Sequence, residues 1–165
     1  MKVWLTNSLM ARIREMGQAF YPLETGGILL GWRDNKDRIA SVVIGPGPQA
    51  LHGRHMFLPD HKWQVARIRE LFKESGGDLD YLGDWHTHPG GTAEMSQQDH
   101  RTLARLSRRV DGVVMVIAAG HGNHWEFGAW SKLRRTLFGT APTFGCELKP
   151  FDAPADWPQP PNESD

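Results

Sequence analysis

Residues 81–99 constrain the fold more than any other stretch, because they encode one passage from strand to loop to helix. His86-Thr87-His88 holds two imidazoles at i and i+2. Side chains at that spacing point the same way only on an extended chain. Tyr81-Leu82-Gly83-Asp84-Trp85-His86 is therefore read as a strand running into the pair, with Thr87 facing away. Pro89 cannot continue a central ladder and is expected to end the strand. Gly90-Gly91 supplies a loop. Ser96-Gln97-Gln98-Asp99 matches a capping box, with Ser96 at the N-cap and Asp99 in the first helical turn.

Two imidazoles and a carboxylate are the ligand types of a catalytic zinc ion, and three protein ligands leave a fourth position for water. The helix N-terminus favours the ionised carboxylate, which is the form that binds metal. Either piece alone has a structural explanation: Ser96 and Asp99 cap a helix, and His-Thr-His is a polar strand end. Both pieces in this order are harder to explain that way. Glu24-Thr25-Gly26-Gly27-Ile28-Leu29-Leu30-Gly31 adds a carboxylate before a short apolar run. A lone glutamate there is a solvated loop side chain. Beside a metal site it becomes a candidate base for a bound water.

The chain resembles the JAMM (MPN-plus, JAB) metallopeptidases. Their pattern is a Glu, then His-Ser/Thr-His-Pro, then a Ser separated from the second His by seven residues, then Asp after two more. Glu24, His86, His88, Ser96 and Asp99 fit it without gaps. The resemblance implies one zinc ion, with a bound water, on His86, His88 and Asp99. It implies Glu24 as general acid/base and Ser96 as donor to the developing oxyanion. All five positions are intact, as in the active branch.

The rest of the chain suggests a single α/β domain. Helices are expected over 8–20, 61–74 and 96–109. The first presents Leu9, Ile13, Met16 and Phe20, the second Val65, Ile68, Leu71 and Phe72, and the third Leu103 and Leu106 to the core. Asp60 caps the second helix. Strands are expected over 26–32, 38–44, 54–58, 81–88, 112–119 and 124–131. The order is α-β-β-β-α-β-α-β-β, a single mixed sheet sandwiched by helices. The resemblance implies the same JAMM, cytidine-deaminase-like arrangement. The domain is expected over 1–147. A Pro-rich acidic tail, 148–165, is expected to be disordered, because Pro150, Pro154, Pro158, Pro160 and Pro161 disfavour a packed element.

Composition excludes several classes. Nineteen basic residues balance nineteen acidic ones, giving no global pull toward nucleic acid or an anionic membrane. No apolar run reaches the roughly 20 residues of a membrane span, and a signal peptide is not expected. The single cysteine, Cys146, excludes an internal disulfide framework and is read as structural. A cytoplasmic protein fits best. His52-Gly53-Arg54-His55 and His121-Gly122-Asn123-His124 lie in glycine-containing loops with no carboxylate at useful spacing, and both are placed outside the site. His100 should point off the metal face. Arg101, Arg105, Arg108 and Arg109 share a helix face, with Lys132, Arg134 and Arg135 downstream, and such a face is usually solvated. Trp85 is assigned to the core before a substrate groove.

The family resemblance implies a zinc isopeptidase or peptidase that cuts the amide after the C-terminal glycine of a ubiquitin-like modifier, in deconjugation or maturation. Short prokaryotic members accompany ubiquitin-like conjugation operons, some in antiphage defence, so conjugation proteins are further expected partners. A rival is a metal-binding scaffold that holds a ubiquitin-like partner without turnover. Another is a DNA-repair-associated protein like RadC, which shares His-x-His-Pro…Ser-x-x-Asp, although Glu24-Thr25-Gly26-Gly27 points away from it. A small-molecule deaminase is set aside because zinc deaminases use a Cys-x-x-Cys pair and this chain has one cysteine.

Overall fold

A computed structural model describes residues 1–134, 139, 141–154 and 157. The elements are β1 (Lys2–Thr6), α1 (Asn7–Phe20), β2 (Gly26–Asp34), β3 (Asp37–Ile44), β4 (Leu51–His52), β5 (Phe57–Leu58), α2 (His61–Glu74), β6 (Asp80–Pro89), α3 (Gln97–Leu106), β7 (Val113–His121), β8 (His124–Lys132) and β9 (Thr143–Phe151). Seven strands, in the order β1-β3-β2-β6-β7-β8-β9, form one mixed sheet. β1 pairs in parallel with both β3 and β9, so the sheet closes into a barrel. The expected mixed α/β character holds, but the open sandwiched sheet is corrected to this closed form. Closure depends on β1 and β9, whose signals are weak because each finds its partner at the opposite end of the chain.

β9 also moves the expected boundary at residue 147. Leu148, Lys149, Pro150 and Phe151 pair with Val3, Trp4, Leu5 and Thr6. Trp157 sets its ring 5.4 Å from Phe151 and 4.9 Å from Trp32. The rest of the expected tail, 155–156 and 158–165, lies outside the described residues, as does Arg135. The extended piece expected at 54–58 is instead a two-stranded hairpin, β4–β5, separate from the barrel.

Alternation sorts the core. On β7, Val114, Val116 and Ala118 face the cluster under α1, which includes Leu5, Leu9 and Ile13. Val113, Met115 and Ile117 face the opposite way, against Leu103 of α3. Ile28, Leu30, Val42 and Ile44 pack with Leu71 of α2 and with Leu79. Of the expected core positions on the helices, Leu9, Ile13, Met16, Ile68, Leu71, Leu103 and Leu106 join the core, whereas Phe72 is 51 % exposed, Phe20 stacks on His52, and Val65 is half-buried outside the core clusters. Leu71 and the buried Gln64, whose amide donates to the Gly45 carbonyl, occupy the inner face of α2 instead. No helix among the described residues is long and apolar enough to cross a membrane.

Candidate metal centre

β6 is central to the site, held by antiparallel β2 on one side and parallel β7 on the other. Its register against β2 shifts at Leu82, an extra residue that resets the side-chain alternation. Leu82 and Trp85, three apart, therefore both face the α1 core, while His86 and His88 share the other face. Trp85 is 1 % exposed and its indole N–H donates to the Ile44 carbonyl, which makes it a core residue. The strand ends at Pro89 as expected, with Pro89 its last residue in register with Gly120 of β7.

The capping box forms as the spacing predicts. Asp99 N–H donates to Ser96 Oγ at 3.2 Å, and Ser96 N–H donates to Asp99 Oδ2 at 2.7 Å. Asp99 is thereby fixed in the first turn of α3 and turned toward β6. His86 Nε2 stands 3.1 Å from His88 Nε2 and 3.1 Å from Asp99 Oδ1, and His88 Nε2 stands 3.3 Å from Asp99 Oδ2. Ligand atoms about 2.0–2.1 Å from a tetrahedral zinc ion lie roughly 3.3–3.4 Å apart. The three donors thus fit one zinc ion with little adjustment. His88 Nδ1 lies 3.0 Å from the Thr92 carbonyl, which only accepts. In the neutral ring Nδ1 therefore carries the hydrogen, and Nε2 presents its lone pair to the centre. These side chains are only 11–15 % exposed, so access comes from one side.

The electrostatics agree with a cation site. Burial alone would raise the Asp99 carboxyl, but hydrogen bonds from His86 and His88 win and hold it far below the usual carboxylate range. Burial would lower His88, yet its bonds to Asp99 and Thr92 leave it raised. Glu24 is raised, first by burial and further by Asp99, against the lowering effect of His86 and His88.

Glu24 sits in the loop before β2, at a junction of two cavities. One, of about 500 Å³, is lined by Glu24, Asp84, His86, Asp99, Arg105 and Phe57 among others. The other, of about 540 Å³, is lined by Glu24, His55, His88, Ser96 and Asp99 among others. All five residues singled out from the sequence therefore border one continuous region. The glycines after Glu24 are set by close approach. A Cβ on Gly27 would stand 1.9 Å from the Ile44 carbonyl oxygen, and one on Gly26 would stand 2.9 Å from both His86 Cβ and Phe57.

Three parts of the surroundings differ from expectation. His52-Gly53-Arg54-His55 belongs to the site region: Arg54 and His55 line the second cavity, and His52 Nδ1 lies 2.9 Å from the Glu24 carbonyl oxygen. The approach is made by β4–β5 folding back over 28 residues, which local spacing does not reveal. Arg101 and Arg105 are exposed as expected but also border the first cavity. Asp84, one step before His86 and His88 on their face of β6, accepts a 2.6 Å bond from the Tyr81 hydroxyl, and burial raises its carboxyl. Its i−2 spacing from His86 was the available signal. His121 and His124 pair across the β7–β8 turn, with His121 stacked on Tyr21, and His100 is exposed. Cys146 is half-buried, and burial pushes its thiol up to about 11, which suits a structural residue.

The chain belongs to the prokaryotic homologs of the JAB domain, whose family pattern matches residues 6–131. Among its relatives, a probable metalloprotease of Sinorhizobium fredii is 31 % identical over 134 residues, covering 78 % of this chain and 82 % of that protein. A CD-NTase/cGAS isopeptidase of Escherichia coli is 28 % identical, covering 53 % of this chain and 56 % of that one. The 26S proteasome regulatory subunit RPN11 of Candida glabrata is 26 % identical, covering 68 % of this chain and 38 % of that one. In fold, the chain is similar to the protein DSY2949 of Desulfitobacterium hafniense, with a TM-score of 0.69 and 19 % identity over 93 % of this chain and 94 % of that one.

Proposed function

We propose that the protein is a zinc-dependent isopeptidase or peptidase that hydrolyses the amide after the C-terminal glycine of a ubiquitin-like modifier. The observation that carries this reading is the convergence of His86, His88 and Asp99 beside Glu24 at the junction of two cavities. The relatives named metalloprotease and isopeptidase support the reaction class. When bound by His86, His88 and Asp99, zinc supplies a Lewis acid that polarises the scissile carbonyl and acidifies the attacking water.

The chain's own groups do the rest. Glu24 takes a proton from water as its oxygen attacks the carbonyl carbon. It returns that proton to the nitrogen as the C–N bond breaks, giving the amine and a carboxylic acid whose remaining proton passes to the amine or to solvent. Its raised pKa suits this exchange, because a base poised nearer neutrality both accepts and releases protons. Ser96 Oγ accepts the Asp99 N–H within the cap, and its hydroxyl, which also hydrogen-bonds the Asp99 carboxylate, turns from there to donate to the developing oxyanion. An extended substrate tail would cross the centre from one cavity to the other, alongside β4–β5, with glycine where only backbone fits.

The setting we propose is cytoplasmic, with conjugation proteins as partners. The name of the Escherichia coli relative, a CD-NTase/cGAS isopeptidase, supports a conjugate of that kind as substrate, and antiviral defence is the setting we propose. The test uses zinc-loaded protein with linear and isopeptide-linked ubiquitin reporters joined through Gly-Gly, with and without a chelator. Chelator-sensitive cleavage at the glycine is expected. Tight binding with no cleavage of either linkage would favour the scaffold reading.

A further inference from the structure

The mechanism leaves open what holds Glu24 in place, since it lies in a loop between α1 and β2. Its backbone is gripped by the β4–β5 hairpin at both polar atoms. Glu24 N–H donates to the Gly53 carbonyl at 2.8 Å, and the Glu24 carbonyl accepts from His52 Nδ1 at 2.9 Å. The carbonyl only accepts, so Nδ1 carries the hydrogen. The His52 ring is itself clamped. It stacks on Phe20 at the end of α1, with centroids 3.8 Å apart and planes 13° apart, and meets Phe57 of β5 at 5.5 Å. Phe57 Cε1 and His86 Cβ would each lie 2.9 Å from a Cβ placed on Gly26, so the glycine leaves room for both.

On the other flank, the next residue is fixed to the ligand strand. Thr25 N–H donates to Thr87 Oγ1 at 3.0 Å, and Thr87 N–H donates to the Thr25 carbonyl at 2.8 Å. Thr87 stands between the two histidine ligands. The Glu24 loop is therefore fixed to β6 at Thr25 and to the hairpin at Glu24 itself. Phe57 and Leu58 of that hairpin also line the first cavity. A substrate lying along the hairpin would press on the same element that orients the base.

We infer that His52 is a positioning residue that orients Glu24 through its carbonyl, and that it makes the β4–β5 hairpin and the general base one mechanical unit. This rests on the reading of Glu24 as the base. It predicts that His52 acts on turnover rather than on metal or substrate affinity, because it touches neither the ligands nor the scissile bond.

Two substitutions separate its two contacts. His52→Phe keeps an aromatic ring for Phe20 but removes the donor. His52→Asn removes the ring but places an amide N–H near the position of Nδ1. With the Gly-Gly-linked ubiquitin reporter, His52→Phe is expected to lose roughly 10- to 100-fold in kcat with KM and zinc content unchanged, and His52→Asn to recover most of it. Hydrogen exchange at the Glu24 amide, which needs no substrate, is expected to quicken in His52→Phe and to return toward wild type in His52→Asn. Wild-type kcat or wild-type exchange in His52→Phe would overturn the inference, as would an equal loss in both variants. A Glu24→Gln protein that keeps full turnover would instead overturn the reading of Glu24, while the exchange result would still judge the grip of His52 on the loop.

Discussion

At His88 two effects oppose each other. Burial disfavours the charged ring, while the bonds to Asp99 and Thr92 favour it, and the balance lifts its pKa above 6.5 in the metal-free protein. The sign follows directly. A raised histidine contributes stability below its unfolded value, and that contribution is lost as pH rises through the folded pKa. Asp99 runs the other way: its depressed carboxyl contributes above 3.8 and loses that contribution as pH falls through its lower folded value. Zinc requires the neutral His88 and the ionised Asp99. Protons should therefore compete with zinc from above pH 6.5 downward, at His88 and not at Asp99. Chelator-competition titrations between about pH 5.5 and 8 should show affinity already falling above pH 6.5. An affinity that stays flat until the carboxylate range would mean that His88 is not a ligand.

Among the elements, α3 carries two duties at its first turn. Ser96 starts the helix and is placed to face the reaction, and the two duties separate on substitution. Ser96→Gly keeps most of the capping, at a cost of a few tenths of a kcal/mol, whereas Ser96→Ala costs about 1 kcal/mol. Both remove the hydroxyl. If Ser96 stabilises the oxyanion, both should lose about 10²–10³-fold in kcat, although only Ser96→Ala should lower thermal stability measurably. Turnover that tracks stability across the pair would leave Ser96 as a cap alone. The helix starts were legible in the sequence because caps are local: Asp60 and Ser96 each accept from a residue three positions on. β1 and β9 were not, because Lys2–Thr6 gains its strand partner in Glu147–Phe151, almost the whole chain away. His52 escaped for the same reason. Its meaning lies in a contact with Glu24 that exists only after the hairpin folds back.

The whole molecule is a closed barrel that holds its site on the outer side of one central strand. β6 is buried between β2 and β7, α1 packs against one face, and α2 and α3 flank the other. That arrangement puts Glu24 from the β2 side, His86 and His88 from β6, and Asp99 from α3 around one point without any of them paying the full cost of isolation from water. His86, His88 and Asp99, the proposed ligands, are legible as a group because spacing along a strand and a capped turn place them within 14 residues. Glu24 is legible as a candidate base only beside the His-x-His motif, because nothing in its local sequence joins it to a histidine 62 residues away. The central claim is that these four side chains form a hydrolytic zinc centre. The most direct measurement is turnover of the ubiquitin reporter by wild type and Glu24→Gln, each assayed for bound zinc. The account predicts one zinc per chain in both and a loss of about 10²–10⁴-fold in turnover for Glu24→Gln. Wild-type turnover in a zinc-loaded Glu24→Gln protein would contradict it.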